Sequence, residues 1–161
     1  MPWKRFSHSA IALGGTFDRF HAGHERLISA AFRSGERVLI GVSSDRFVRT
    51  LDKRHSVEPY SSRVRNLRHF LRSRGWSPRA TIAPLNDPYG PAARRRDLEA
   101  IVVTPETFSS AKKLNQLRKS KALSVLKIYR VQLSRAEDGK PISSTRIRGG
   151  KIDRRGKLLQ K

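Results

Sequence analysis

Apolar residues in this chain fall into short continuous runs separated by stretches with a helical repeat, and that alternation predicts the fold class. Ala10-Ile11-Ala12-Leu13 is a run of the kind a buried parallel strand needs. Glu25 to Arg33 follows as a helix, with Leu27, Ile28, Ala31 and Phe32 on one face. Ser34-Gly35 ends it, and Arg37 to Val42 reads as a second buried strand. Ser43-Ser44-Asp45 can cap a short helix carrying Phe47, Val48 and Leu51, after which Asp52-Lys53-Arg54-His55 makes a polar, basic loop. From Pro59 a longer helix is predicted, with Val64, Leu67, Phe70 and Leu71 as its apolar stripe. Arg63, Arg65, Arg68, Arg72 and Arg74 cover the rest of that helix, and Gly75 stops it.

Ala80 to Leu85 is a third short strand, followed by the turn sequence Asn86-Asp87-Pro88-Tyr89-Gly90-Pro91. Ala100 to Val103 is a fourth, and Thr104-Pro105-Glu106-Thr107 opens a helix through about Ser120 that buries Leu114 and Leu117. A fifth strand is expected within Leu123 to Leu133, centred on Leu126 to Val131. Strand–helix–strand units of this length close as right-handed parallel crossovers. The expected architecture is therefore α/β: a doubly wound, Rossmann-like, five-stranded parallel sheet in a single domain spanning residues 1–161.

The chemistry concentrates in two stretches. Gly14-Gly15-Thr16-Phe17-Asp18-Arg19-Phe20-His21-Ala22-Gly23-His24 joins the first strand to the first helix. Gly14 and Gly15 permit close approach of a ligand to the backbone, and Gly23 keeps the first helical turn open beside it. A helix start presents unpaired N–H groups to an anion, and His21 and His24, three apart, project to the same side of it. With the Thr16 hydroxyl, these groups can hold a polyphosphate and stabilise charge on a transferring phosphorus without a covalent intermediate. The stretch is neither a Walker A loop nor a dinucleotide fingerprint. Two histidines could instead bind a metal, but no third ligand lies nearby in sequence. The second stretch is Gly139-Lys140-Pro141-Ile142-Ser143-Ser144-Thr145-Arg146-Ile147-Arg148. Its three hydroxyls read either as an N-cap cluster or as a second anion cradle to which Arg146 and Arg148 add charge. Two cradles on one small sheet suggest a nucleoside triphosphate held from both sides, and hence nucleotidyl transfer with pyrophosphate leaving.

Composition narrows the class further. At 161 residues, with 37% hydrophobic and 30% charged residues, the chain is long enough for one core, and no apolar run reaches membrane-spanning length. The N-terminus lacks a signal-peptide core and there are no cysteines, so a cytoplasmic setting is expected, with no disulfide, thiolate metal site or cysteine nucleophile. The net charge is +22, from 35 Lys and Arg against 13 Asp and Glu. The excess is spread over both halves, and only 7% of residues are aromatic. It therefore reads mainly as a solvated surface that attracts polyanions nonspecifically.

Five motifs in order then identify a resemblance that runs nearly end to end: residues 14–24, Glu-Pro-Tyr-Ser-Ser-Arg-Val-Arg-Asn-Leu (58–67), Asp-Pro-Tyr-Gly-Pro (87–91), Ile-Val-Val-Thr-Pro-Glu-Thr (101–107) and residues 139–148. The chain resembles the archaeal-type phosphopantetheine adenylyltransferases, and is similar to the adenylyltransferase portion of the eukaryotic bifunctional CoA synthase. The resemblance implies reaction of ATP with 4'-phosphopantetheine to give dephospho-CoA and pyrophosphate, with Mg2+ on the phosphates. It implies that Thr16 and His24 stabilise the α-phosphate and that His21 completes the His-x-Gly-His motif. Gly14, Gly15, Phe17 and Gly23 belong to the same ATP site, and Ser143, Ser144 and Thr145 embrace the β- and γ-phosphates. Lys53 is the candidate for bridging acceptor and α-phosphate, with Arg54 or Lys140 as alternatives; Asp87 and Gly90 shape the nucleotide pocket. Arg146 matches a position that is as readily a surface residue. Arg94-Arg95-Arg96 departs from the mixed or acidic stretch expected of relatives. Two other readings share these motifs. One is a sister transferase with nicotinamide mononucleotide, FMN or glycerol 3-phosphate as acceptor; the other is a nucleic-acid-binding protein on the same fold. A monomer or small homo-oligomer is expected.

Overall fold

Strand β1 (His8–Gly15) lies in the middle of the sheet because it is apolar on both faces: Ala10 and Ala12 point to one side, Ile11 and Leu13 to the other, and all four are buried. In the computed structural model, which describes residues 5–51 and 56–160, β1 pairs in parallel with β2 (Gly35–Ser43) along nearly its whole length. On its other side β1 pairs with β4 (Ala100–Val103). Strand β3 (Ala80–Leu85) adds to β2 and β5 (Lys127–Arg130) to β4, so that among the described residues five parallel strands run in the order β3-β2-β1-β4-β5. The chain winds outward from β1 in one direction and returns to start again at β4. Between those two strands lies the switch point where sheets of this class open a crevice at their C-terminal edge.

Two layers of helix cover the sheet. Helix α1 (Ala22–Ser34) and helix α3 (Tyr60–Ser73) share one core with Ile11, Leu13, Val38 and Ile40. Helix α4 (Phe108–Ser120) packs on the opposite face through Leu114, against Ala10, Ala12 and Leu39. Helix α2 (Asp45–Thr50), capped by the Ser44 side chain as its sequence predicts, buries none of its residues fully. The short helix α5 (Ser144–Arg148) belongs to a third, smaller cluster with Ala136, Ile142 and Ile152.

Strands and helices fall where the apolar pattern places them, with ends shifted by a few residues. Helix α1 starts at Ala22, and α4 starts at Phe108 after a turn in which the Thr107 hydroxyl accepts the N–H of Thr104. Leu117 is half-buried rather than buried. The larger correction concerns Arg63, expected on the solvent face of α3 but fully buried. It stands four residues before Leu67 and seven before Phe70, on the apolar stripe itself.

The junction of α1 and β2 leaves no room for a side chain at Gly35. A Cβ there would lie 2.2 Å from Ile11 Cγ2 in the centre of the core. Gly35→Ala is expected to destabilise the chain by about 1–3 kcal/mol through overpacking, measured as a lower midpoint in urea unfolding.

Candidate active site

The two histidines of the first motif are built into the start of α1 as a reciprocal cap. His21 is the N-cap residue, and its Nδ1 accepts the N–H of Gly23 at 3.1 Å. The Nδ1 of His24, one turn along, accepts the N–H of His21 at 3.2 Å. Histidine thus fills both places that a Ser/Thr and Glu pair fill in an ordinary capping box. Because each Nδ1 accepts a backbone proton, each neutral ring must carry its own proton on Nε2. The rings stack at 3.7 Å, and Phe17 and Phe20 close on His24 from the other side. Burial is the main reason that the His21 imidazolium is disfavoured, lowering its pKa to about 4; Arg154 adds to the shift and Asp18 opposes it. His24 is held well below the usual histidine value by burial and then by His21. At neutral pH the start of α1 therefore offers two uncharged Nε2–H donors, while the N–H groups of His21, Ala22 and Gly23 are already taken up by His24, the Arg154 carbonyl and His21.

The loop that leads into this helix is held under strain. Phe17 and Arg19 both have positive φ, at 56° and 50°, a region that costs L-residues free energy. Asp18, between them and buried, holds the loop in this form. Its carboxylate accepts the N–H of Glu58 at 2.9 Å and pairs with Arg148 at 2.6 Å. Its carbonyl accepts the Ser144 hydroxyl at 2.6 Å, and Glu58 in turn accepts the N–H of Arg19. The first and last motifs of the chain are thereby tied together at one buried carboxylate.

Arg63 supplies a second fastening. Its Nη1 donates to the carbonyls of Thr16 and Ser43, both at 2.8 Å, and its Nε to that of Glu58 at 2.7 Å. Nη2 completes the set on the Asp45 carboxylate at 3.0 Å. One planar guanidinium thus joins the ends of β1 and β2 to the entrances of α2 and α3.

Above these fastenings, at the C-terminal edge of the sheet, opens a cavity of about 740 Å³. Gly14, Gly15, Thr16, Phe17, His21, Gly23 and His24 form one wall of it and Ser143, Ser144 and Thr145 another, so the two motifs face the same space. Ser143 also serves as the N-cap of α5, its hydroxyl accepting the N–H of Arg146. Asp87 and Gly90 do not line the cavity. Asp87 accepts the N–H groups of Tyr89 and Gly90, and Gly90 has positive φ, which sets Pro88, Tyr89 and Pro91 along the wall. Those two N–H groups hold the Asp87 carboxyl below its usual pKa. Arg146 turns away to Asp138, whereas Arg148 lines the cavity. Lys140 is not part of the lining, and Lys53 and Arg54 lie outside the described residues.

Sequence reasoning missed the fastening roles of Asp18, Glu58 and Arg63. It also missed Thr104, Thr107, Ser110 and Gln132, which bring further polar groups into the cavity. For Arg63 a signal existed, its place on the apolar stripe; for the partners of Asp18, far apart in the chain, none did.

Comparison with known proteins shows the family and the fold. Residues 12–150 match the family model described as cytidylyltransferase-like. The chain is 44% identical over 154 residues to a phosphopantetheine adenylyltransferase of Methanothermobacter thermautotrophicus, covering 96% of this chain and 92% of that protein. It is 46% identical over 151 residues to a protein of the same name from Methanosarcina barkeri, covering 92% and 91%. A crystal structure of a protein of unknown function from Archaeoglobus fulgidus superposes with a TM-score of 0.68 at 37% identity, covering 76% of this chain and 88% of that one.

Two outcomes follow from the geometry. Unfolded histidine takes up a proton near pH 6.5, which folded His21 does only at about 4. The stability it contributes is complete above the unfolded value and is lost as the pH falls from there towards about 4, on the order of 3 kcal/mol in all. Thermal melting followed through that window should show a falling midpoint, and a shallower fall in His21→Asn, which keeps a capping acceptor. Arg63→Met should cost about 3–5 kcal/mol in urea unfolding, and Arg63→Lys should recover only part of that, because an ammonium cannot reach acceptors on four segments.

Proposed function

Since the chain belongs to the cytidylyltransferase-like family, we propose that it transfers the adenylyl group of ATP to 4'-phosphopantetheine, giving dephospho-CoA and pyrophosphate. Curated archaeal relatives that bear this activity in their name match nearly the whole chain, and that observation carries the choice of substrate. The cavity explains how the transfer would proceed. An oxygen of the acceptor's phosphate attacks the α-phosphorus, the bond from that phosphorus to the oxygen bridging to the β-phosphate breaks, and the electron pair leaves with pyrophosphate. The attacking phosphate is already an anion, so no strong base is required, and rate comes from positioning and charge stabilisation.

The residues divide the work by place. We assign the Nε2–H groups of His21 and His24, with the Thr16 hydroxyl, to the oxygens of the α-phosphate, where charge builds as the bond breaks. Neutral imidazoles suit this task, since they donate without giving up a proton. Gly14, Gly15 and Gly23 let the nucleotide approach the backbone, Phe17 packs under His24, and Ser143, Ser144 and Thr145 lie where the β- and γ-phosphates would extend. Arg148, already on Asp18, adds positive charge to the wall. Lys53 is proposed as the residue bridging acceptor and α-phosphate.

Among the described residues no group of three or more His, Asp or Glu could hold a metal ion, and the Asp18 carboxylate is taken up by Arg148 and Glu58. This donor set fits Mg2+ carried on the nucleotide's phosphates with water completing its shell, where it would neutralise their charge. No described helix is long and apolar enough to cross a membrane. We place the reaction in the cytoplasm and assign the enzyme to a monomer or small homo-oligomer.

Pyrophosphate release from ATP and Mg2+ should be seen with 4'-phosphopantetheine and not with nicotinamide mononucleotide, FMN or glycerol 3-phosphate. Turnover with one of those acceptors instead would overturn the substrate. His24→Ala should lower kcat by about 10²–10³ with an unchanged circular dichroism spectrum; near-normal turnover would overturn the site.

A further inference from the structure

The basic residues of α3 make a feature of their own, outside the cavity. From Pro59 to Asn86 the chain carries six arginines and no Asp or Glu. Arg63 is consumed in the core, Arg74 lies over Phe70 and Trp76, and Arg79 over Phe6 and Phe32. The other three, Arg65, Arg68 and Arg72, are exposed, and none of their side chains forms an ion pair or hydrogen bond with the described residues. Elsewhere on the surface Arg95, Arg146 and Arg155 each hold a carboxylate.

Their spacing, i, i+3 and i+7, puts them in one row along about 10 Å of helix. They rim a groove of about 560 Å³, floored by Val64 and Ile82 and bordered by Tyr60 and His69. Ile82 belongs to β3, the edge strand, so the groove runs between α3 and the open side of the sheet. None of its lining residues lines the cavity described above.

We propose that this groove binds single-stranded nucleic acid, with successive phosphates on the row of arginines and bases against Tyr60 and His69. Exposed cations beside rings, here the exposed His69 and the half-buried Tyr60, are how sequence-tolerant single-strand sites are built. A second copy of the chain, itself at +22, offers this row poorer charge complementarity than a polyanion does. A single small anion would call for buried, converging donors, and this groove has an open rim instead. The proposal does not depend on the adenylyl-transfer reading.

Binding of a fluorescein-labelled, mixed-sequence single-stranded RNA to the full chain, by anisotropy over a salt series, tests it. Arg65→Gln/Arg68→Gln/Arg72→Gln should weaken binding at least about tenfold and reduce the slope of log K against log salt by about 2, or 0.7 for each of three phosphate contacts. Tyr60→Leu should weaken it at least about fivefold through lost stacking. Lys113→Gln/Lys119→Gln/Lys121→Gln, with the same change in charge on α4 and its C-cap, should have a much smaller effect, and the folded state of every variant is read by circular dichroism. Equal losses in the two triple variants would overturn the proposal in favour of diffuse attraction. Displacement of the RNA by a poly-glutamate peptide at equal charge concentration would overturn the choice of nucleic acid.

Discussion

The guanidinium of Arg63 is the contact on which the arrangement of the cavity rests. Taking a cation wholly out of water is costly, and the cost is offset only where its donors find well-placed acceptors. Here the acceptors are the carbonyls of Thr16, Ser43 and Glu58 and the carboxylate of Asp45. Each lies where the chain leaves a strand or enters a helix, and the guanidinium satisfies backbone carbonyls there that are buried or partly buried. The strand ends that carry Gly15 and Thr16 are thus held in place from beneath. On the other face of the sheet Arg118 repeats the solution, its donors reaching the carbonyls of Ala92, Arg95 and Ser124. Ala92 is itself part of the cavity wall.

Above Arg63, structural and chemical demands are met by the same atoms. Nδ1 of His21 and of His24 cap the helix, and in doing so they fix the tautomer that leaves Nε2–H free for a ligand. Burial that keeps both rings neutral also stacks them on each other and packs His24 against Phe17 and Phe20. The positive φ values at Phe17 and Arg19 are sustained because Asp18 binds Glu58 and Arg148. A loop so fixed would have little to reorganise for the proposed transfer, which is the condition under which fixed donors stabilise developing charge most.

The surface follows a different rule from the interior. Arginines 63 and 118 are buried and hold loops, whereas the exposed side chains of 65, 68 and 72 pair with none of the described residues. The net charge of +22 is therefore organised as well as large, with one stretch of 28 residues lacking any carboxylate.

Much of this was legible in the chain itself. Buried parallel strands announce themselves as runs such as Ala10 to Leu13, and α1 by the repeat of Leu27, Ile28, Ala31 and Phe32, because burial on two faces or one is a local demand on composition. Gly14-Gly15 and His21-x-Gly23-His24 mark the cavity-facing end of β1 for the same reason: backbone approach and helix capping depend on neighbours in sequence. Tertiary structure alone decided which charges go inside and which distant groups meet. Arg63 occupies a core position on its helix, yet nothing local names the carbonyls that make its burial tolerable. Asp18 and Arg148 are 130 residues apart and become partners only when α5 folds back over the first loop. Periodicity reports which face of an element is buried; what a buried polar group bonds to is set by the packing of several elements at once.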